Sequence, residues 1–146
     1  CRSIGVSNFT IENLKELEEK YDVLPAINQV EFHPYHYQKE LLEYCNSKNI
    51  IIEAYSPLVH AKRMDEPRLI AISDELSKTP AQVLIRWAIQ KGMVVLPKSV
   101  NQDRIVENFA VFDFDISNSL MKRLDDLDER YVTCWDPHNP PPYAPV

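Results

Sequence analysis

Ile50-Ile51-Ile52-Glu53-Ala54-Tyr55-Ser56-Pro57 is the stretch on which the fold turns. Three consecutive β-branched residues favour extended backbone and leave no polar face. The run therefore reads as a strand over 50–55, of the kind covered on both sides in a parallel sheet. Pro57 closes it.

Moving outward, the same unit recurs. Upstream, Ala26 through Phe32 reads as a strand, and His33-Pro34 turns the chain toward a helix carrying Leu41, Leu42 and Cys45. Before that, Ile4-Gly5-Val6 is a short strand followed by loop residues Ser7 and Asn8. Thr10 then caps a helix whose face carries Ile11, Leu14, Leu17 and Tyr21. Downstream, Pro67 opens a helix with Leu69, Ile70, Ile72 and Leu76 as its buried stripe. Thr79-Pro80-Ala81-Gln82 matches a capping box with proline at the first helical position, and Val83, Leu84, Trp87 and Ala88 continue that helix until Gly92 stops it. Met93 through Pro97 is the fourth strand. Asn101 caps a helix containing Ile105, Val106 and Phe109, and Ser117 caps a last helix bearing Leu120, Leu124 and Leu127.

Strands alternating with helices imply right-handed crossovers and a parallel sheet, an α/β class. Four strand-helix units suffice for a doubly wound sheet, whereas a closed eight-stranded barrel needs twice as many. The tail changes composition, with Pro137, Pro140, Pro141, Pro142 and Pro145 favouring extended or loop conformation. Residues 1–131 thus read as the α/β unit and 132–146 as a Pro-rich tail.

The 146 residues suffice for one ordinary domain that buries about 68% of its unfolded surface. A formal charge of -6 offers nucleic acid no overall attraction, and the 45% apolar content argues against disorder. No apolar run reaches the roughly 18 to 20 residues of a membrane span. Three cysteines without a CxxC pair fit a reducing, cytoplasmic compartment rather than a disulfide framework or a zinc knuckle. The chain opens on Cys1-Arg2-Ser3-Ile4, without an initiator Met and unlike a secretory leader, so this reading expects residues upstream.

Polar residues collect after the strands, where parallel folds hold their ligands. Ser7, Asn8 and Gln29 can exchange paired hydrogen bonds with a carboxamide, or serve ordinary turn and core roles. Tyr55 can lay its ring on a planar heterocycle or simply pack. Lys98 and Ser99 leave the fourth strand, and Arg104 lies in the first turn of the next helix, where free N–H groups already favour an anion such as phosphate. Glu107 and Asn108, one turn on, suit the polar edge of a base. The competing reading is an Arg104–Glu107 surface pair worth a few tenths of a kcal/mol. His60, Lys62 and Arg63 could attract a diphosphate or be solvated loop charges. His33 and His36 read as turn residues rather than metal ligands, because Pro34 interrupts their helical spacing. No Gly-rich dinucleotide fingerprint, P-loop, serine nucleophile elbow or HExxH motif is present.

Taken together, Gly5-Val6-Ser7-Asn8-Phe9, Asn28-Gln29-Val30-Glu31-Phe32-His33-Pro34, Ala54-Tyr55-Ser56-Pro57-Leu58 and Leu96-Pro97-Lys98-Ser99-Val100, with Arg104, Glu107 and Asn108, closely resemble the C-terminal half of an aldo-keto reductase. The family is a TIM (β/α)8 barrel that binds an extended nicotinamide cofactor without a Gly-rich loop. The resemblance implies that Ser7, Asn8 and Gln29 hold the nicotinamide carboxamide and that Tyr55 stacks on the ring. It implies Ser56 and Leu58 along the pyrophosphate, and Lys98, Ser99, Asn101 and Arg104 around the adenosine 2'-phosphate. Glu107 and Asn108 would contact adenine, so NADPH is expected over NADH. The segment from Leu58 to Pro67 is shorter than the cofactor-covering loop of many animal members and resembles compact bacterial and fungal ones. The family's catalytic Tyr, Lys, Asp and His lie in the other barrel half and map to no residue here. Trp135 falls where family tails border the substrate pocket.

The implied function is the cofactor-binding half of an NADPH-dependent oxidoreductase that reduces an aldehyde or ketone to an alcohol once a complementary N-terminal barrel half is present. The alternative is a non-catalytic half-barrel serving binding or assembly.

Overall fold

The computed structural model describes residues 1–134, 136 and 137. Its elements, in order, are β1 (Gly5–Ser7), α1 (Ile11–Lys20), β2 (Ile27–Glu31), α2 (Lys39–Ser47), β3 (Ile51–Tyr55), a 3-10 turn (Val59–Ala61), α3 (Pro67–Leu76), α4 (Pro80–Gln90), β4 (Val94–Leu96), α5 (Gln102–Phe109) and α6 (Asn118–Asp125). All strand pairs are parallel and the sheet order is β1-β2-β3-β4. A doubly wound sheet reverses direction partway, at the point where its ligand crevice opens. This one never reverses. Crossovers of one hand running in one direction put every helix on the same face, as in half of a barrel.

Burial follows from that topology. In β2 and β3, Asn28, Val30, Ile52 and Ala54 point toward the helices and are buried. The opposite face carries Ile51, Val94 and Leu96, each at least 40% exposed. The expectation that β3 is covered on both faces is therefore corrected: Ile51 faces the concave side, which no helix of the described residues covers.

The core lies between the sheet and α1, α2, α3, α4 and α6, around the fully buried Trp87, Phe32, Leu14, Leu69, Ile72 and Leu124. The α4 capping box is present: Thr79 Oγ1 accepts from the Gln82 amide at 3.3 Å, and Gln82 Oε1 accepts from the Thr79 amide at 3.1 Å. Gly92 takes φ +80° just beyond the helix, which a side chain would resist. Trp87 Nε1 donates to Asp125 Oδ1 at 2.7 Å, tying α6 to α4 through the core.

Five apolar residues, in three places, depart from expectation. Ile70 is 37% exposed because it lies about 100° around α3 from Leu69, off the Leu69, Ile72, Ser73 face. Tyr21 is exposed because α1 ends at Lys20 and Tyr21 continues in extended backbone. The third departure is larger: Ile105, Val106 and Phe109 of α5 are 52%, 65% and 76% exposed. In this architecture a helix packs into the groove between its own strand and the next, and the far edge of β4 pairs with no described strand.

We expect Trp87→Phe, which keeps most of the ring packing but removes the bond to Asp125, to lower stability by about 1 to 3 kcal/mol in urea denaturation.

Candidate functional site

The sheet register sets polar side chains in rows on the concave face. Ser7 lies beside Gln29, Gln29 beside Glu53, and Glu31 beside Tyr55. Ser7 Oγ donates to the Gln29 carbonyl at 3.0 Å, and Gln29 Nε2 donates to Glu53 Oε2 at 2.5 Å, with no hydrogen bond to Gln29 Oε1 among the described residues. Tyr55 Oη donates to Asn8 Oδ1 at 3.0 Å. Asn8 and Ser56 adopt positive φ, 56° and 50°, so the chain turns sharply just past β1 and β3. Burial, with the negative charge of Glu31, pushes the Tyr55 phenol up to about 12. It stays protonated and gives up its proton poorly.

Beside this row opens a cavity of ≈ 740 Å³. Ser56, Leu58, Lys98, Ser99, Arg104, Glu107 and Asn108 all line it, so residues from the β3 loop, the β4 end and α5 converge there. Among the described residues, none of the ion pairs engages Lys98 or Arg104, and no pair joins Arg104 to Glu107. Glu107 Oε1 instead accepts from Thr79 Oγ1 at 2.6 Å. Gln82 Nε2 donates to the Ala110 carbonyl at 3.0 Å, so the start of α4 holds the end of α5. In a chain of net charge -6, Lys98 and Arg104 are two cations without a carboxylate partner beside the start of α5, where free N–H groups favour negative charge.

Asn101 does not line the cavity: its Oδ1 accepts from the Arg104 amide at 3.0 Å as the α5 cap. Arg63 is not free for a diphosphate. It pairs with Glu129 at 3.0 Å and stacks on Tyr131 at 4.5 Å. His60 does reach the cavity, in a run of left-handed backbone at Val59, His60 and Ala61, with φ 54°, 50° and 61°.

Sequence reading passed over Thr79, Glu53 and Glu31 as site residues. The last is 3% exposed, yet ionised. Burial pushes its carboxyl up, but hydrogen bonds from His33, from the hydroxyl and amide of Thr133 and from the Cys134 amide outweigh this and hold it at about 2. His33 Nδ1 and Tyr35 Oη are buried without a partner among the described residues. Trp135 and the prolines at 140–145 lie outside the described residues.

Residues 1–129 match the aldo/keto reductase family, and the chain belongs to it. Similar proteins include an uncharacterized oxidoreductase of Schizosaccharomyces pombe, 44% identical over 93% of this chain and 50% of that protein. A glyoxal reductase of Bacillus subtilis is 45% identical over 88% of this chain and 48% of its own length. Among solved structures, a point mutant of Gox0644 in complex with NADPH superposes with a TM-score of 0.87 at 38% identity, covering 94% of this chain and 51% of that one. A deep-sea metagenome aldo-keto reductase gives a TM-score of 0.89 at 36% identity, covering 94% of this chain and 52% of that one. The chain spans about half the length of the curated relatives it matches, and its four units form the C-terminal half of a TIM barrel.

Because the Glu31 carboxyl lies below its ordinary value of 4.5, its contribution is complete above about pH 4.5 and fades as pH falls toward 2. We expect roughly 3 kcal/mol of stability to be lost across that window. Glu31→Gln should remove this component of the acid dependence, as read by urea denaturation at stepped pH.

Proposed function

We propose that this chain is the cofactor-binding half of an NADPH-dependent reductase of aldehydes or ketones. The observation that carries it is a pair of cations free of carboxylates at the start of α5. Lys98 and Arg104 face one cavity without a carboxylate partner, and Glu107 and Asn108 line the same cavity one helical turn on. That donor set suits a ribose phosphate joined to a base. The NADPH-bound Gox0644 variant, similar over 94% of this chain, supports the same ligand.

In this reading Lys98, Ser99 and Arg104 hold the 2'-phosphate, with Asn101 fixing the helix start behind them. Glu107 and Asn108 meet the adenine, and Ser56 and Leu58 border the pyrophosphate. At the other end, Ser7, Asn8 and the free side-chain carbonyl of Gln29 meet the carboxamide, while Tyr55 offers its ring to the nicotinamide. The Tyr55–Asn8 hydrogen bond spans the place where these groups would engage the cofactor, and it must loosen or share when they do. NADPH, when bound, supplies the hydride that turns a carbonyl carbon into an alcohol. The matching proton comes from the complementary barrel half, since Tyr55 at about 12 is poorly suited to give it.

The open edge of β4 and the exposed Ile105, Val106 and Phe109 support that complementary half as the partner. These three line a shallow hollow of ≈ 380 Å³ with Pro97 at the end of β4, where a following strand and helix would pack. No helix among the described residues is long and apolar enough to cross a membrane, and all three cysteines are free thiols, consistent with work in the cytoplasm.

Two measurements test this. Arg104→Ala should weaken NADPH binding about 10- to 100-fold and NADH binding less than about threefold by calorimetric titration; equal losses would remove the 2'-phosphate assignment. The 146-residue chain alone should show no aldehyde-dependent NADPH oxidation, and turnover should appear when the first four units of a family barrel are supplied. Robust turnover by the chain alone would contradict the division of labour.

A further inference from the structure

Three of the four hydrogen bonds on the Glu31 carboxylate come from residues 102 and 103 positions away. The Thr133 amide donates to Oε1 at 2.8 Å and the Cys134 amide to Oε2 at 3.0 Å. The Thr133 hydroxyl also donates to Oε1, and His33 Nε2 lies 3.0 Å from the same oxygen. A buried carboxylate is stable only when so paired, and charge-assisted bonds of this kind are about twice as strong as neutral ones. Glu31 is thus the fixed end of a clamp on the segment after α6.

That segment is a strap. The Glu129 and Tyr131 amides both donate to the Tyr35 carbonyl, at 3.2 and 2.8 Å. Past Thr133 the strap reaches the rim of the large cavity, where Cys134 Sγ lies 3.2 Å from Ser56 Oγ and 3.1 Å from His60 Nε2. Ser56 and His60 line the cavity. His60 is also the middle of the left-handed run from Val59 to Ala61, a conformation that non-glycine residues hold only when their surroundings enforce it. Cys134 of the strap touches His60 in that run, and Glu31 anchors the strap.

We propose that Glu31 is a positioning residue whose clamp on Thr133 and Cys134 holds the strap down as a gate at the Ser56–His60 end of the cavity, so that a dinucleotide enters and leaves when the clamp lets go. The proposal rests on the cavity being a dinucleotide site. A gate differs from a ligand contact in kinetics. Opening it speeds entry and exit together and leaves affinity nearly constant, whereas losing a contact speeds exit alone.

The test uses the 146-residue chain with Glu31→Gln and, separately, Thr133→Val, which removes one donor and leaves the buried charge in place. Backbone amide exchange at Thr133 and Cys134, followed by NMR, should speed up about tenfold or more in Glu31→Gln and less in Thr133→Val. Stopped-flow mixing with NADPH should show association and release both faster by about five- to tenfold in Glu31→Gln, with Kd changed less than about threefold. Unchanged exchange at both amides, in either variant, overturns the clamp. Faster release with unchanged association overturns the gate. If the unsubstituted chain binds no NADPH, the dinucleotide reading fails and the gate with it, while the exchange rates still decide the clamp.

Discussion

Everything in this molecule follows from a sheet wound in one direction. Four parallel strands in sequential order, joined by helical crossovers of one hand, push all the helices to one side. One face of each strand then makes the core with Trp87, Phe32 and Leu69, and the other face is left concave and polar in rows. The same winding carries every strand's C-terminal end to one rim. Loops after β1, β2, β3 and β4 therefore share a rim although they are scattered along the chain. It also leaves α5 with an apolar stripe and no described strand beneath its outer half.

The rim divides into two electrostatic regimes. At the β4 end, Lys98 and Arg104 stand without a carboxylate partner in an otherwise acidic protein, and the nearby Glu107 is occupied by Thr79. At the β2 end, the carboxylate of Glu31 is buried and fully bonded, so it acts by fixing geometry rather than by attracting solute. The rim thus carries two cations free of carboxylates at one end and a fully bonded carboxylate at the other.

Much of this was legible in the residues. The capping box at Thr79 and Gln82, the cap at Asn101 and the strand centred on Ile52 depend on local backbone chemistry, and they stand where the sequence puts them within a residue or so. That Lys98, Ser99 and Arg104 gather at one cavity was legible too, because a strand end followed by a helix start is a local arrangement. Ile70 and Tyr21 misled for a local reason as well: a periodic stripe does not reveal where a helix stops or how wide its buried face is.

What lies between segments was not legible. The neighbours Gln29–Glu53 and Glu31–Tyr55 exist only once strand register is set, and the Thr133–Glu31 clamp joins residues 102 positions apart. By itself the sequence determined the elements, their parallel alternation and the clustering of Lys98, Ser99 and Arg104 where β4 gives way to α5, since each rests on interactions within a few residues. Only the tertiary structure decided which strand faces stay open and that Glu31 holds the strap, because those outcomes depend on which distant surfaces the winding brings into contact.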